Sequence, residues 1–160
     1  MATKAKSATP EGMHSVTPYF FFNGNCREAV DFYKRAFHAE VLGHIVPSPD
    51  GKSVWHVLLK IGNSNIMMAD YMDTSAKGNT QNTSAMAIWL YTSNGDELFQ
   101  NAMSEGCTSE MPMTDMFWGD RMGKVKDPFG FSWTIATQEW IYTDEERQQK
   151  QQEMMARMTG

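Results

Sequence analysis

The sequence feature that most constrains the fold is an internal repeat. Hydrophobic and turn-forming residues predict the order strand, helix, strand, strand, strand over residues 16–71. The same order returns over residues 85–139, and a polar linker of small residues, 72–84, separates the two segments. A repeat of this kind indicates a duplicated supersecondary unit and takes precedence over other fold signals. We therefore expect an α+β domain over residues 15–139, built from two βαβββ modules.

The first module shows its pattern most clearly. Strands are predicted at 16–22, 41–46, 54–61 and 66–70, with a helix at 26–38. In the third strand, alternation places four apolar residues on one face, namely Trp55, Val57, Leu59 and Ile61. His56, Leu58 and Lys60 then occupy the opposite face.

The second module and the chain ends follow less regular patterns. Strands are predicted at 86–92, 108–112, 124–126 and 131–137, a helix at 96–105, and a loop at 114–123. Residues 1–14 are predicted to be a flexible leader. Residues 140–160 form a C-terminal helix whose start is a capping box of Thr143 and Glu146. That helix either packs on its own domain or docks on a partner subunit.

Composition and charge exclude several classes of protein. The formal net charge is −5 and no Lys/Arg cluster offsets it, which argues against a nucleic-acid partner or an anionic membrane. No apolar run approaches the ~20 residues of a membrane span. The two cysteines exclude a disulfide framework, and the polar N-terminus lacks the apolar core of a secretory signal. A cytoplasmic location is expected.

Two motifs in the second module carry a family resemblance. Residues 118–121 (Trp-Gly-Asp-Arg) and 126–130 (Lys-Asp-Pro-Phe-Gly), together with the paired βαβββ order, resemble the PhnB-like branch of the vicinal oxygen chelate superfamily. This superfamily contains glyoxalase, bleomycin-resistance and extradiol dioxygenase proteins. The resemblance covers residues 16–139 and implies curled mixed sheets around a cleft. It also implies a homodimer, since such modules commonly complete their clefts by pairing. It does not select a reaction, because the superfamily includes isomerases, dioxygenases, thiol transferases and drug binders.

The resemblance also implies where a metal would bind. In metal-using relatives, the first and fourth strands of each module supply four inward-facing ligands, typically His or Glu. The corresponding residues here are Pro18, Met67, Ala87 and Thr134. None of these is a usable ligand for iron, zinc, nickel or manganese. We therefore expect no metal and no other cofactor.

Aromatic residues are predicted to line the cleft instead. Strand alternation sends Phe20, Phe22, Trp89 and Tyr91 to the cleft face. It sends six others to the helix-covered core: Tyr19, Phe21, Ile88, Leu90, Trp133 and Ile135. The cleft aromatics indicate a pocket for an apolar or aromatic small molecule, or else they are core closed over by curled sheets or by the C-terminal helix. The candidate ligand-binding residues are Phe20, Phe22, His56, Met67, Trp89, Tyr91, Trp118, Arg121 and Thr134.

The polar residues near the predicted cleft allow an alternative hypothesis, that the protein is an enzyme. His56 is the one histidine on the cleft-side register of its strand, and Asp70 ends the fourth strand. Either could serve as the acid/base group of a lyase, isomerase or dioxygenase. Arg121 could bind an anionic group, or could pair with Asp120 or Asp127 and fix the loop. Cys26, at a helix N-terminus, is expected to be a buried apolar residue. The leading hypothesis is a metal-free protein that binds a small apolar or aromatic molecule.

Overall fold

The computed structural model describes residues 5–72 and 86–159 of the chain. It contains two βαβββ modules followed by a C-terminal helix, as the repeat predicts. The first module comprises β1 (Tyr19–Phe22), α1 (Cys26–Phe37), β2 (Glu40–Pro47), β3 (Val54–Ile61) and β4 (Ser64–Asp70). The second comprises β5 (Ile88–Tyr91), α2 (Gly95–Glu105), β6 (Thr108–Asp115), β7 (Asp120–Lys126) and β8 (Ser132–Gln138), and α3 (Asp144–Thr159) follows. Most of the predicted linker lies outside the described residues.

Each module forms one mixed four-stranded sheet. The first sheet has the order β1-β4-β3-β2 and the second has the order β5-β8-β7-β6. The strand before the helix pairs in parallel with the last strand of its module, and the other pairings are antiparallel. The chain divides into two compact units: residues 5–34 and 38–72, and residues 35–37 and 86–159 of the described part.

The helix-facing side of the first sheet forms the core of the first unit. Phe20 of β1, Met68 of β4 and Val57 of β3 are neighbours across the strands, and all three are fully buried. The apolar face of α1 is buried as well, including Ala29 and Val30. The carboxylate of Asp70 connects helix and sheet, because it accepts the backbone N–H groups of Cys26 at 2.9 Å and Val54 at 2.8 Å.

The second unit has an equivalent core. Its main members are Trp133, Ile135 and Val125 of the sheet and Leu98 and Phe99 of α2. This confirms that Trp133 and Ile135 are core residues, whereas Ile88 and Leu90 are only half-buried.

The β7–β8 hairpin is fixed by a buried carboxylate. Asp127 accepts the backbone N–H groups of Phe129 and Phe131 and the indole N–H of Trp133, each at 2.9 Å. Three N–H groups donate to this one carboxylate, which explains why the Asp-Pro-Phe-Gly turn begins with aspartate. The predicted loop at 114–123 is shorter than expected, because β6 continues to Asp115 and β7 begins at Asp120.

The C-terminal helix begins with the predicted capping box. The backbone N–H of Thr143 donates to the carboxylate of Glu146, and the N–H of Glu146 donates to the Thr143 hydroxyl. Trp140 and Ile141, just before α3, are exposed, as are Met155 and Met158 within it. Among the described residues, no helix is long and apolar enough to cross a membrane.

Candidate functional site: aromatic open faces

The first sheet presents aromatic rings on the face that α1 does not cover, which we call the first open face. Tyr19 and Phe21 point to this side, and each is 39% exposed. Their rings stack at a centroid distance of 4.6 Å, and the ring of Tyr71 stacks on Phe21 at 5.4 Å. Met67, the strand partner of Tyr19, lies on the same face. Three stacked rings thus form one continuous apolar surface.

This arrangement corrects the predicted register of β1. Phe20 and Phe22 are each 1% exposed and lie on the helix-facing side, so the prediction that they line a cleft is wrong. Tyr19 and Phe21, which alternation places in the core, occupy the open face instead. All four residues of the strand are aromatic, so alternation of apolar and polar residues gives no cue to the register. The hydroxyl of Tyr19 was the available signal, since that group favours a position open to water.

His56 extends the first open face. Its Nδ1 lies 3.4 Å from the hydroxyl of Tyr19, and the two rings meet edge-on at 5.9 Å. Trp55 is 43% exposed, whereas Val57 and Leu59, which alternation places on the same face, are fully buried. Val54 and Val57 are both buried although two residues separate them, a pattern that simple alternation cannot produce. The register shift between Val46 and Pro47 in the β2–β3 pairing marks the bulge responsible.

The second sheet has an equivalent face, which we call the second open face. Trp89 and Tyr91 are 44% and 60% exposed, and their ring centroids lie 6.0 Å apart. Alternation in β5 predicts this orientation, because the aliphatic Ile88 and Leu90 alternate with the two rings. Thr134 is the strand partner of Trp89, but it is 2% exposed and therefore offers a ligand little surface.

The Trp-Gly-Asp-Arg motif positions this second face. Asp120 is 4% exposed, and its Oδ2 accepts the hydroxyl of Tyr91 and the indole N–H of Trp118, both at 2.9 Å. The hydrogen bond to Asp120 is the main cause of a raised pKa at Tyr91, and desolvation adds to it. Asp120 thus fixes the ring of Tyr91 and disfavours loss of its hydroxyl proton. No local sequence pattern indicates this role for Asp120.

Arg121 lies on the other side of β7. Its guanidinium binds Asp96 of α2 through two hydrogen bonds of 2.8 Å and Asp115 of β6 through one of 2.9 Å. Hydrogen bonding to Arg121 lowers the pKa of Asp96, and hydrogen bonds to Asp96 and Asp115 raise the pKa of Arg121. Arg121 is therefore held in a structural network on the helix-facing side, which agrees with the structural alternative for this residue. Its partners, however, are Asp96 and Asp115 and not the expected Asp120 or Asp127, and its assignment as a ligand-binding residue stays a prediction.

The residues considered for metal binding or acid/base chemistry do not all lie on the open face. Asp70 is 3% exposed on the helix-facing side, and both of its oxygens accept backbone N–H groups, so it fastens α1 and does not face the open side. The strand partner of Met67 on the open face is Tyr19 and not Pro18, which lies one residue earlier. Within residues 5–72 and 86–159, no three His, Cys, Asp or Glu side chains cluster closely enough to hold a metal ion.

Comparison with known proteins agrees with the fold and its repeat. The family model of the Glyoxalase/Bleomycin resistance protein/Dioxygenase superfamily matches residues 13–135. An uncharacterized Mycobacterium bovis protein, Mb0911c, is 37% identical over 112 residues, which are 67% of this chain and 72% of that protein. The chain therefore belongs to the glyoxalase/bleomycin resistance/dioxygenase superfamily.

Solved structures share its fold over most of their length. Protein PA1353 from Pseudomonas aeruginosa has a TM-score of 0.63 at 26% identity, covering 78% of this chain and 98% of its own. A PhnB protein from Bacillus cereus, titled a putative 3-demethylubiquinone-9 3-methyltransferase, has a TM-score of 0.63 at 20% identity, covering 78% and 99%. At 20% identity, the second comparison shows only that the two proteins share a fold.

Proposed function

We propose that this PhnB-like protein binds a small, planar aromatic or apolar molecule against its open sheet faces, without the superfamily metal. One observation carries the proposal: in each described sheet, the face opposite the helix carries partly exposed aromatic rings. Clustered exposed apolar surface of this kind marks interaction sites. A bound ring would gain ~0.5–1.5 kcal/mol from stacking, beyond the burial of its area.

The chemistry of the faces limits the ligand. Around Tyr19 and Phe21, the polar groups include the imidazole of His56 and the phenol hydroxyls of Tyr19 and Tyr71. On the second face, the hydroxyl of Tyr91 already donates to Asp120. Few hydrogen-bonding groups are therefore free to satisfy a strongly polar molecule, and a neutral ring system with one or two polar substituents fits best.

Titration with 2-naphthol, followed by ¹H–¹⁵N correlation spectra, tests the proposal. We expect the indole N–H signal of Trp89 to shift and the Trp89→Ala variant to bind about tenfold more weakly, since stacking contributes about 1.4 kcal/mol. The matched control is Trp140→Ala, because Trp140 is also exposed but lies after β8, outside both open faces. Unchanged affinity in Trp89→Ala and Phe21→Ala would contradict the proposal.

His56 supports a second candidate function. A histidine within hydrogen-bonding distance of a tyrosine hydroxyl on an open face is suited to proton transfer to a bound molecule. A lyase- or isomerase-type enzyme would use His56 as its acid/base group, whereas Asp70 is committed to backbone amides. The His56→Gln variant distinguishes the two functions, because an enzyme loses turnover while keeping affinity, and a binding protein shows no turnover to lose.

We also propose that the protein is a homodimer. In the described sheets, β1 and β2, and likewise β5 and β6, each leave one strand edge unpaired. Symmetric pairing of two copies covers such edges. Light scattering after size exclusion should therefore give twice the 18.2 kDa chain mass, and the single mass at micromolar concentration would contradict the proposal.

A further inference from the structure

A second candidate site lies between α3 and the β6–β7 turn. The groove there has a volume of about 490 Å³, within the range of small-molecule sites. Its apolar lining comes from Met116 and Phe117 of the turn, Trp140 and Tyr142 before α3, and Met154 of the helix. All of these belong to the second unit. The family model ends at residue 135, so most of this wall lies outside the region matched to the superfamily.

A buried carboxylate with unused bonding capacity lines the groove. Asp120 is 4% exposed, and both of its side-chain hydrogen bonds fall on Oδ2. Among the described residues, none donates to its Oδ1 and none forms an ion pair with it. Tyr91 and Trp118 both donate to Oδ2, so Oδ1 remains available to a ligand in the groove. A cationic donor at this oxygen would form a charge-assisted hydrogen bond, which is stronger than a neutral one.

The other charges around the groove are of both signs. Glu139 and Glu153 line it, and so does Asp115, which is paired with Arg121. The basic groups are Lys150, whose Nζ lies 4.7 Å above the ring of Tyr142, and Arg157 near the end of α3. Four carboxylates and two basic side chains leave the lining acidic, and three aromatic rings add surfaces that attract cations.

We propose that this groove binds a protonated primary amine with an aromatic or apolar body. The ammonium group donates to Oδ1 of Asp120, and the body packs against the aromatic rings and methionine side chains. Methionine is flexible and polarizable, so this wall adapts to bodies of different shape. The site shares Asp120 with the second open face, where this residue holds Tyr91, but its other walls are different. It does not depend on the function proposed for the open faces.

Benzylamine and benzyl alcohol form the matched pair of probes, because they differ in the charged group and share the ring. At pH 7, we expect benzylamine to bind and to shift the indole N–H signals of Trp140 and Trp118. Benzyl alcohol should bind about tenfold more weakly, as expected for the loss of a charge-assisted hydrogen bond. Equal affinity for the two probes, or binding of neither, would overturn the proposal.

Variants locate the site and separate it from the open faces. Asp120→Asn keeps an oxygen acceptor for Tyr91 and Trp118 but removes the charge, and it should weaken benzylamine binding about tenfold. Glu110→Gln is the charge control, since Glu110 is exposed on β6 outside the groove. Trp140→Ala should weaken benzylamine binding while Trp89→Ala leaves it unchanged, the reverse of the result expected for 2-naphthol. If Asp120→Asn unfolds, Trp140→Ala decides, and unchanged benzylamine affinity in that variant refutes the site.

Discussion

At the scale of single residues, β1 shows how one strand divides neighbouring aromatic rings between core and surface. Phe20 and Phe21 are adjacent and chemically identical, yet they are 1% and 39% exposed. The exposed ring stacks on Tyr19 and Tyr71, whereas the buried one lies beside Met68. The two side chains are therefore the same, and they differ only in the side of the sheet that they occupy.

This pair makes a direct test of the corrected register. Phe20→Ala removes a fully buried ring and should lower the free energy of unfolding by about 3–5 kcal/mol. Phe21→Ala removes a ring that is only partly buried and should cost less, about 1–2 kcal/mol. Urea denaturation of the two variants against the parent measures both values. If Phe21→Ala proved the more destabilising change, the assignment of the open face would be wrong.

The two cysteines give a second test at this scale. Cys26 and Cys107 are 0% and 5% exposed. Burial raises the pKa of each to about 12, with a smaller contribution from Asp70 at Cys26 and from Asp127 at Cys107. The thiolate is the reactive form, so neither cysteine should react with a disulfide reagent at pH 8 in the native protein. Both should react once urea unfolds the chain, and rapid native-state reaction of either thiol would contradict the burial described here.

At the scale of elements, Gly119 joins the β6–β7 turn to the segment after β8. Its carbonyl accepts the backbone N–H groups of Glu139 and Trp140, both at 3.0 Å. Its φ of 109° lies in the region that favours glycine, and a Cβ at this position would clash with the carbonyl oxygen of Trp140. Glycine is therefore needed here both for backbone conformation and for space.

Gly119→Ala should consequently be far more damaging than a comparable change at Gly106. Gly106 also has a positive φ, of 122°, but the nearest atom to its added Cβ is in Pro128 at 3.7 Å. We expect Gly106→Ala to cost about 1–2 kcal/mol from the backbone alone. Gly119→Ala adds a backbone clash and should lose at least about twice as much. Thermal unfolding of both variants measures the difference, and equal losses would contradict the close approach to Trp140.

The elements also show what the sequence could and could not predict. The repeat, the strand order and the capping box of α3 were predictable, because periodicity, turn residues and caps are local signals. The orientation of β5 was predictable because Ile88 and Leu90 alternate with two aromatic rings, while β1 offers no such contrast. The bulge at Trp55 and the partners of Arg121 depend on pairing with distant strands and helices, which local patterns do not encode.

At the scale of the whole molecule, this chain differs most from metal-using members of the superfamily in the side chains at the four metal-ligand positions. Metal-using relatives take two donors from each module. With the corrected register, the first module offers the phenol of Tyr19 and the thioether of Met67, and the second offers Ala87 or Trp89 together with the buried hydroxyl of Thr134. These groups include neither an imidazole nor a carboxylate, the donors that hold a divalent cation against water.

Added metal should therefore leave the protein unchanged. A ligand stabilises a protein only by binding its native state, so nickel, zinc or manganese should not alter the Tm of tag-free, chelator-treated protein. The same melts with 2-naphthol and benzylamine provide the comparison, because each compound should raise the Tm if its proposed site exists. The melts with metal test whether the chain has ligands for a divalent cation, and the melts with 2-naphthol and benzylamine test the two proposed sites. The two results are therefore independent. A rise of several degrees with one of the metals, reversed by chelator, would show that this chain assembles donors other than those assigned here.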